Sequence, residues 1–349
     1  MAVRFVLGRA GTGKTRHLRD DILQLLEGDP LGPPIYLLVP AQATLDHERQ
    51  YGLHWLPEAG FDGFARLRVT DFENLGDDLL AESGGEAVTR VTALGRQLLL
   101  GHLLRTRQDK LHYFRSTARQ VGLIGELDRT FTELDRAGLD PGDLLEQLDA
   151  ADASDATLDK ARDLALLGDA YRKALGDRDD ATARFARVID SVPLCPHLTG
   201  VHLRVDGFMG FSAAERRLLV ALAIRCASVT VALTLDPDDE ALPLFERTRE
   251  TFERLQRDLR EAKIAVEPPV RLGDTRRFTS RALQLVERDW SSPRPATVPG
   301  DDAAAIRMIE TPGPRAQADA AARQVLDWVQ SGLRLRECVV LSRNLANDQ

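Results

Sequence analysis

Short apolar runs of strand length alternate with helical spacing along roughly the first 80 residues. Residues 3–7 form the first apolar run, and residues 35–39 form the second. Between them, apolar side chains recur every three or four positions as far as Gly28, which predicts a helix. A weaker strand is predicted at residues 67–69, and residues 70–73 have the form of a capping box that opens another helix. This alternation predicts an α/β fold with a parallel sheet.

A second pattern, long helical periodicity with few strand-like runs, follows as far as residue 192. Asp140 before Pro141 predicts the start of one helix, and residues 158–175 predict another. Two apolar stripes at helical spacing are expected to face the core. The first contains Leu94, Leu98, Leu99, His102 and Leu103, and the second contains Val121, Ile124, Leu127, Phe131 and Leu134. We therefore expect an all-helical insertion in this part of the chain.

Strand-like runs resume after the helical region. The run at residues 201–207 contains Asp206 near its end, and the run at residues 229–235 stops at Asp236. Residues 212–215 between them again have the form of a capping box. The parallel sheet is therefore expected to take up two further strands, each followed by an acidic residue.

The last third of the chain is less regular. Residues 243–263 predict a helix, and the Pro-rich residues 267–299 predict a linker. A strand at residues 305–310, a helix at 316–330 and a strand at 338–341 would form a β-α-β unit. Because such a unit is half a domain, we expect the chain to be the N-terminal part of a longer protein, unless its last strands dock on the first sheet or on a partner. The expected divisions are residues 1–85 and 193–265 for the two parts of the first α/β domain, 86–192 for the helical insertion, 266–300 for the linker and 301–349 for the start of a second domain.

The composition is that of an ordinary soluble globular protein, with 43% apolar and 29% charged residues in a chain of 349. A net charge of −8 excludes a globally basic nucleic-acid coat but not a locally basic channel. Without a secretory signal or a long apolar run, a cytoplasmic protein with no membrane contact is expected. Cys195, Cys226 and Cys338 lie far apart, which argues against a disulfide framework or a metal cluster.

The most informative motif follows directly on the first apolar run. Residues 8–15 match the phosphate-loop pattern G-x-x-x-x-G-K-[ST]: Gly8, Arg9, Ala10, Gly11, Thr12, Gly13, Lys14 and Thr15. In such a loop the backbone N–H groups surround an anion at the start of a helix. Lys14 would reach the β- and γ-phosphates, and the Thr15 hydroxyl would ligate Mg²⁺. Binding of ATP·Mg²⁺ is therefore expected.

Asp206 is the best candidate for the second Mg²⁺ residue, although it can also act only as a turn cap. Helicase-type ATPases usually place a glutamate after this aspartate to polarise the attacking water, and here the next residue is Gly207. The sequence therefore supports ATP binding more strongly than fast hydrolysis. Glu215 is a weak candidate for a replacement base. Gln42 and Arg343 are candidates for a second contact with nucleotide or DNA.

Several segments, taken in order, resemble the AddB (RexB) family, which supplies the second subunit of the AddAB-type ATP-dependent helicase–deoxyribonuclease. They are residues 8–15, residues 38–44 (L-V-P-A-Q-A-T), residues 205–208 (V-D-G-F) with Phe211 behind them, and residues 309–313 (I-E-T-P-G) leading to residues 340–343 (V-L-S-R). The resemblance covers the whole chain, weakly through the helical insertion.

The resemblance implies a superfamily 1 helicase-like fold, in which a RecA-like domain is interrupted by a helical domain and followed by a second RecA-like domain. It also implies a heterodimer with an AddA-type helicase–nuclease, contact with single-stranded and double-stranded DNA, and a role in double-strand-break repair. The family's nuclease domain and its iron–sulfur cluster belong to a region that this sequence does not include. We therefore expect no iron–sulfur cluster in this chain.

Two other classes of function stay open at this stage. The chain could be a free-standing P-loop NTPase or kinase unrelated to DNA, with the helical insertion as a substrate lid. It could also be a scaffold that nucleotide merely stabilises, as the missing glutamate suggests.

Overall fold

The computed structural model describes residues 2–342, apart from residues 62, 64, 85–90, 177, 179–180, 237–242, 293, 295 and 298–299. The described residues divide into two compact units, Met1–Arg277 and Phe278–Gln349.

A seven-stranded sheet forms the centre of the first unit. Its strands are β1 (Ala2–Gly8), β2 (Ile35–Leu38), β3 (Leu67–Thr70), β4 (His202–Val205), β5 (Ser228–Thr234), β6 (Ala265–Val266) and β7 (Val270–Leu272). The order is β3-β2-β4-β5-β1, and β6 and β7 both pair with the far side of β1. All pairs are parallel, so the predicted α/β fold is confirmed.

Helices cover both faces of this sheet, as a parallel sheet requires. Alternate residues of each strand point to opposite faces, so Phe5 and Leu7 join one core and Val6 joins another. The helices of the first unit are α1 (Lys14–Gly28), α2 (Thr44–Gln50), α3 (Leu56–Glu58), α4 (Phe72–Glu82), α5 (Ala93–Thr106), α6 (Val121–Ala137), α7 (Pro141–Ala150), α8 (Asp155–Leu175), α9 (Ala181–Ser191), α10 (Ala213–Arg225) and α11 (Glu246–Glu261). A π-helical turn, Tyr51–Trp55, joins α2 to α3.

Helix α4 begins one residue later than the predicted capping box. Asp71, not Thr70, is the N-cap, and its carboxylate accepts hydrogen bonds from the N–H groups of Glu73 and Asn74. A carboxylate is the stronger acceptor for these unpaired N–H groups, and it also complements the helix dipole. The box at Ser212 is as predicted, with Glu215 bonded back to the Ser212 N–H.

Helices α5 to α8 form the helical insertion, with a hydrophobic core of their own. Of the stripe predicted on α6, Leu127 is buried in this core and Ile124 and Phe131 pack against it, whereas the side chain of Val121 lies outside the described residues. The stripe predicted on α5 was only partly right, because Leu103 is buried in this core and Leu99 packs against it, whereas Leu94 and Leu98 are each 65% exposed and His102 is exposed. The face that α5 buries contains Leu100, Leu103 and Leu104.

The second unit contains α12 (Arg281–Asp289), α13 (Gly300–Ala303) and α14 (Pro314–Gln330). The helix predicted at residues 316–330 is confirmed by α14. The flanking strands predicted at residues 305–310 and 338–341 were wrong, since these segments have no ladder partner among the described residues. Their apolar side chains are exposed, as at Met308 and Leu341. The stretch predicted as a linker holds β7, which belongs to the sheet of the first unit, and α12.

Candidate nucleotide-binding site

The loop between β1 and α1 has the backbone conformation of a tight anion-binding turn. Gly11 (φ 78°) and Gly13 (φ 95°) are left-handed, a region that glycine enters without steric cost. Gly8 is needed for a different reason, because a Cβ there would lie 2.8 Å from the carbonyl oxygen of Leu272 on β7. The motif therefore has glycine at the two positions with a left-handed backbone and at the position that packs closely against β7.

Lys14, the first residue of α1, folds back over this loop. Its Nζ donates hydrogen bonds to the carbonyl oxygens of Gly8 and Arg9, both at 2.9 Å. The first N–H groups of a helix have no partner within the helix, and the helix dipole adds positive potential at that end. A lysine beside such a helix start is the arrangement that the phosphate-loop prediction requires.

An ion pair that the sequence does not reveal anchors the second residue of the loop. Arg9 Nη1 lies 2.9 Å from Asp236 Oδ2, and both side chains are largely buried. The Arg9 guanidinium also lies over the ring of Phe245, 5.4 Å from its centroid. Asp236 reaches Arg9 because β5 pairs directly with β1. The apolar pattern places Asp236 at the end of a strand, but it does not identify this partner.

A second contact that the sequence does not reveal holds the middle of the loop. The backbone N–H groups of Arg276 and Arg277 donate to the carbonyl oxygen of Gly11, at 2.8 and 3.3 Å. The guanidinium groups of both arginines belong to exposed side chains. The segment after β7 therefore brings two cationic residues beside the loop.

Asp206 lies at the same edge of the sheet as the loop. It follows β4, its N–H donates to the carbonyl oxygen of Leu38, and it is 5% exposed. Only β5 separates β4 from β1, which puts the two strands about 10 Å apart. One carboxylate oxygen, Oδ1, accepts the N–H of Gly207 at 2.9 Å.

The residues around Asp206 fit a hydrated Mg²⁺ ion. The Asp206 carboxylate and the exposed hydroxyl of Thr15 are hard oxygen donors, which Mg²⁺ prefers. The buried Nδ1 of His47 has no hydrogen-bond partner among the described residues. Burial lowers the pKa of His47, and the Asp206 charge opposes that shift.

Gly207 cannot be exchanged for the usual glutamate without strain. Its φ is 81°, and a Cβ at this position would lie 3.1 Å from Cδ of Pro40. The close packing of Pro40, at the end of β2, thus leaves little room for the water-polarising side chain that the sequence lacks.

Of the other predicted site residues, Glu215 and Gln42 lie within the described part of the chain. Glu215 Oε2 accepts the Ser212 N–H at 2.7 Å in the capping box of α10, and its side chain lines a cavity of about 700 Å³ beside α6 and α11. No residue of the phosphate loop lines that cavity. Gln42 is exposed in a short 3₁₀ turn before α2. Arg343 lies outside the described residues.

Comparison with known protein families places this geometry in context. The family model described as "ADDB, N-terminal" matches residues 5–287. The chain belongs to this family. Curated relatives, each named as a subunit of an ATP-dependent helicase/deoxyribonuclease, include those of Desulforudis audaxviator (36% identical), Pelotomaculum thermopropionicum (34%) and Geobacillus kaustophilus (31%). Each match covers 98% or 99% of this chain but only 30% of the relative. The chain thus spans about a third of the length of these ADDB-family proteins, and the resemblance inferred from the sequence is confirmed.

Two further features hold for the described residues. No described helix is both long and apolar enough to cross a membrane. Within the same residues, no group of three or more His, Cys, Asp or Glu side chains is arranged to hold a metal ion.

Proposed function

We propose that this chain is the helicase-like, ATP-binding part of a DNA-repair subunit. In this proposal it contacts single-stranded DNA during double-strand-break processing and works with an AddA-type helicase–nuclease partner. Membership of the ADDB N-terminal family supports the DNA-repair role. The observation that carries the nucleotide-binding part is that Lys14 Nζ folds back onto a loop whose glycines Gly11 and Gly13 are left-handed, at the start of α1.

The proposal gives each residue of the loop a role when nucleotide binds. Lys14 exchanges the carbonyl oxygens of Gly8 and Arg9 for phosphate oxygens, and the α1 N–H groups donate to the same phosphates. Thr15 and Asp206 would hold Mg²⁺, which neutralises phosphate charge when bound. Arg9 and Asp236 keep the loop in place. Because Gly207 carries no base, we propose that hydrolysis is slow or absent.

The test of nucleotide binding is a titration with a fluorescent ATP analogue in the presence of Mg²⁺. Lys14→Ala is expected to weaken binding by about a hundredfold, because it removes the charge that meets the phosphates. Lys173→Ala is the matched control, since Lys173 is an exposed lysine on α8 that pairs with Asp169. Equal affinities of the two variants would overturn the assignment of the loop.

A second candidate function is a scaffold that nucleotide stabilises without turnover. The close packing of Gly207 against Pro40 favours it. A rise in melting temperature with ATP·Mg²⁺ and no phosphate release would support the scaffold. Nucleotide-dependent binding of single-stranded DNA would support the helicase-like function instead.

A further inference from the structure

One surface segment of the helical insertion is strongly basic, although the whole chain has a net charge of −8. We call residues 105–119, the end of α5 and the loop after it, the basic segment. It contains a single acidic residue, Asp109, and its cations are Arg105, Arg107, Lys110, Arg115 and Arg119. All five cationic side chains are exposed or half-buried. The segment therefore presents a local positive field on an acidic protein.

These five cations lack the close ion pairs that several other exposed arginines of the insertion form. None of the five forms an ion pair with a carboxylate in the part of the chain that the structure describes. By contrast, Arg129 pairs with Glu126 within α6, and Arg162 pairs with Asp159 within α8. Clustered like charges repel one another, so this arrangement favours an anionic ligand.

A buried carboxylate holds the basic segment in one conformation. Asp163 of α8 is 1% exposed and accepts the backbone N–H groups of His112 (2.9 and 3.2 Å) and Phe114 (2.9 Å). The side chains of Leu111 and Phe114 are buried in the core of the insertion. A charge is buried only where strong hydrogen bonds compensate it, so the loop is built into the fold.

The loop also links two of its arginines through one glutamine side chain, and it exposes an aromatic ring. The Gln108 side chain donates to the Arg115 carbonyl at 3.0 Å and accepts from Arg119 Nε at 3.3 Å. Tyr113 is 48% exposed, and the ammonium of Lys160 lies 5.9 Å from its ring centroid. Cations that follow a backbone, together with an exposed ring for a base, are the elements of single-strand binding surfaces.

We infer that the basic segment binds the sugar–phosphate backbone of single-stranded DNA without reading its sequence, with Tyr113 stacking on one base. This site lies on the helical insertion and is separate from the phosphate loop. The inference rests on the proposed function, and it locates the proposed contact with single-stranded DNA on the basic segment.

The experiment measures the affinity of the full 349-residue chain for a fluorescent oligothymidylate of about 20 nucleotides across a salt series. The double variant Arg115→Gln/Arg119→Gln is expected to bind about tenfold more weakly. The slope of the logarithm of the binding constant against the logarithm of the salt concentration should fall in magnitude by about 1.4, since two phosphate contacts are lost. The control, Arg129→Gln with Arg162→Gln, changes the net charge equally in the same insertion. It should behave like the wild type. Equal losses in the two double variants would overturn the inference.

A second variant tests the choice of single-stranded DNA. Tyr113→Ala is expected to weaken binding about fivefold or more with an unchanged salt slope, because stacking involves no phosphate charge. Unchanged affinity would contradict the stacking role.

If the wild type itself binds no oligonucleotide at low salt, the proposed DNA contact fails. If the wild type binds and the Arg115/Arg119 variant binds equally well, only the assignment to this surface fails. An acidic protein would then be the better partner.

Discussion

At the scale of single residues, two contacts decide what the nucleotide site can do. Gly207 excludes a side chain next to Asp206, because its backbone is left-handed and Pro40 packs against it. Arg9 is anchored to Asp236 across the β1–β5 pair. In the proposed function, the first contact limits ATP hydrolysis, and the second fixes the shape of the loop.

The Gly207 contact predicts a stability loss. Gly207→Ala is expected to lower the free energy of unfolding by about 1–2 kcal/mol, the cost of a left-handed L-residue, and the Pro40 contact adds to it. Gly28→Ala is the control, because a Cβ at that helical position meets nothing within 4 Å. Urea denaturation measures both variants. A loss of equal size in Gly28→Ala would contradict the role of the backbone strain.

The Arg9–Asp236 pair predicts that a second substitution rescues nucleotide affinity. Arg9→Gln is expected to weaken ATP binding about tenfold, since it leaves the Asp236 carboxylate uncompensated beside the phosphates. Adding Asp236→Asn should restore much of that affinity, because the uncompensated charge is then gone. Arg4→Gln breaks the exposed ion pair between Arg4 of β1 and Glu267 and should change nothing. Additive losses in a titration of the double variant would show that the two residues act separately.

At the scale of elements, the loop after α5 depends on Asp163. Asp163→Asn is expected to lower the free energy of unfolding by about 2–3 kcal/mol, because the charge-assisted hydrogen bonds to His112 and Phe114 are weakened. Hydrogen exchange at these two amides should accelerate. Asp159→Asn, an exposed carboxylate on the same helix, is the control. Exchange rates that do not change in Asp163→Asn would show that the buried core alone holds the loop.

The elements that could be predicted from the sequence are those whose pattern is local. Strands β1 to β5 have apolar runs of their own, and α14 has helical spacing and a Gly332 stop. Strands β6 and β7 have only two and three residues in an irregular stretch, and their ladder to β1 defines them. Conversely, residues 305–310 and 338–341 have a strand-like pattern without a ladder. A strand needs a hydrogen-bonded neighbour, which its own sequence does not specify.

At the scale of the whole molecule, the first unit holds every strand and every hydrophobic core cluster found among the described residues. A chain of residues 1–277 is therefore expected to unfold cooperatively and to bind ATP as tightly as the full chain. Calorimetry at saturating nucleotide, about a hundred times Kd, should show a stabilisation of about 2.7 kcal/mol in both. Lys14→Ala should abolish that stabilisation. A shortened chain that folds but binds no nucleotide would place part of the site in the second unit.

The candidate site was only partly predictable from the sequence, because some of its contacts depend on which strands are neighbours in the sheet. Residues 8–15 are contiguous, and their glycine spacing reports the turn directly. The partners of that turn, Asp236 and the N–H groups of residues 276 and 277, are more than 200 positions away along the chain. Their contacts exist only because β5 and β7 flank β1, which is a property of the sheet order.

The position of β1 also has a consequence during synthesis on the ribosome. This strand is made first, yet all its neighbours, β5, β6 and β7, come from residues 228–272. At a translation rate of about 5–20 residues per second, about 15–50 s pass between synthesis of the phosphate loop and synthesis of the strands that pair with β1. During that interval the apolar residues of β1 need protection from aggregation, and a nascent chain should bind nucleotide only after β7 has left the exit tunnel.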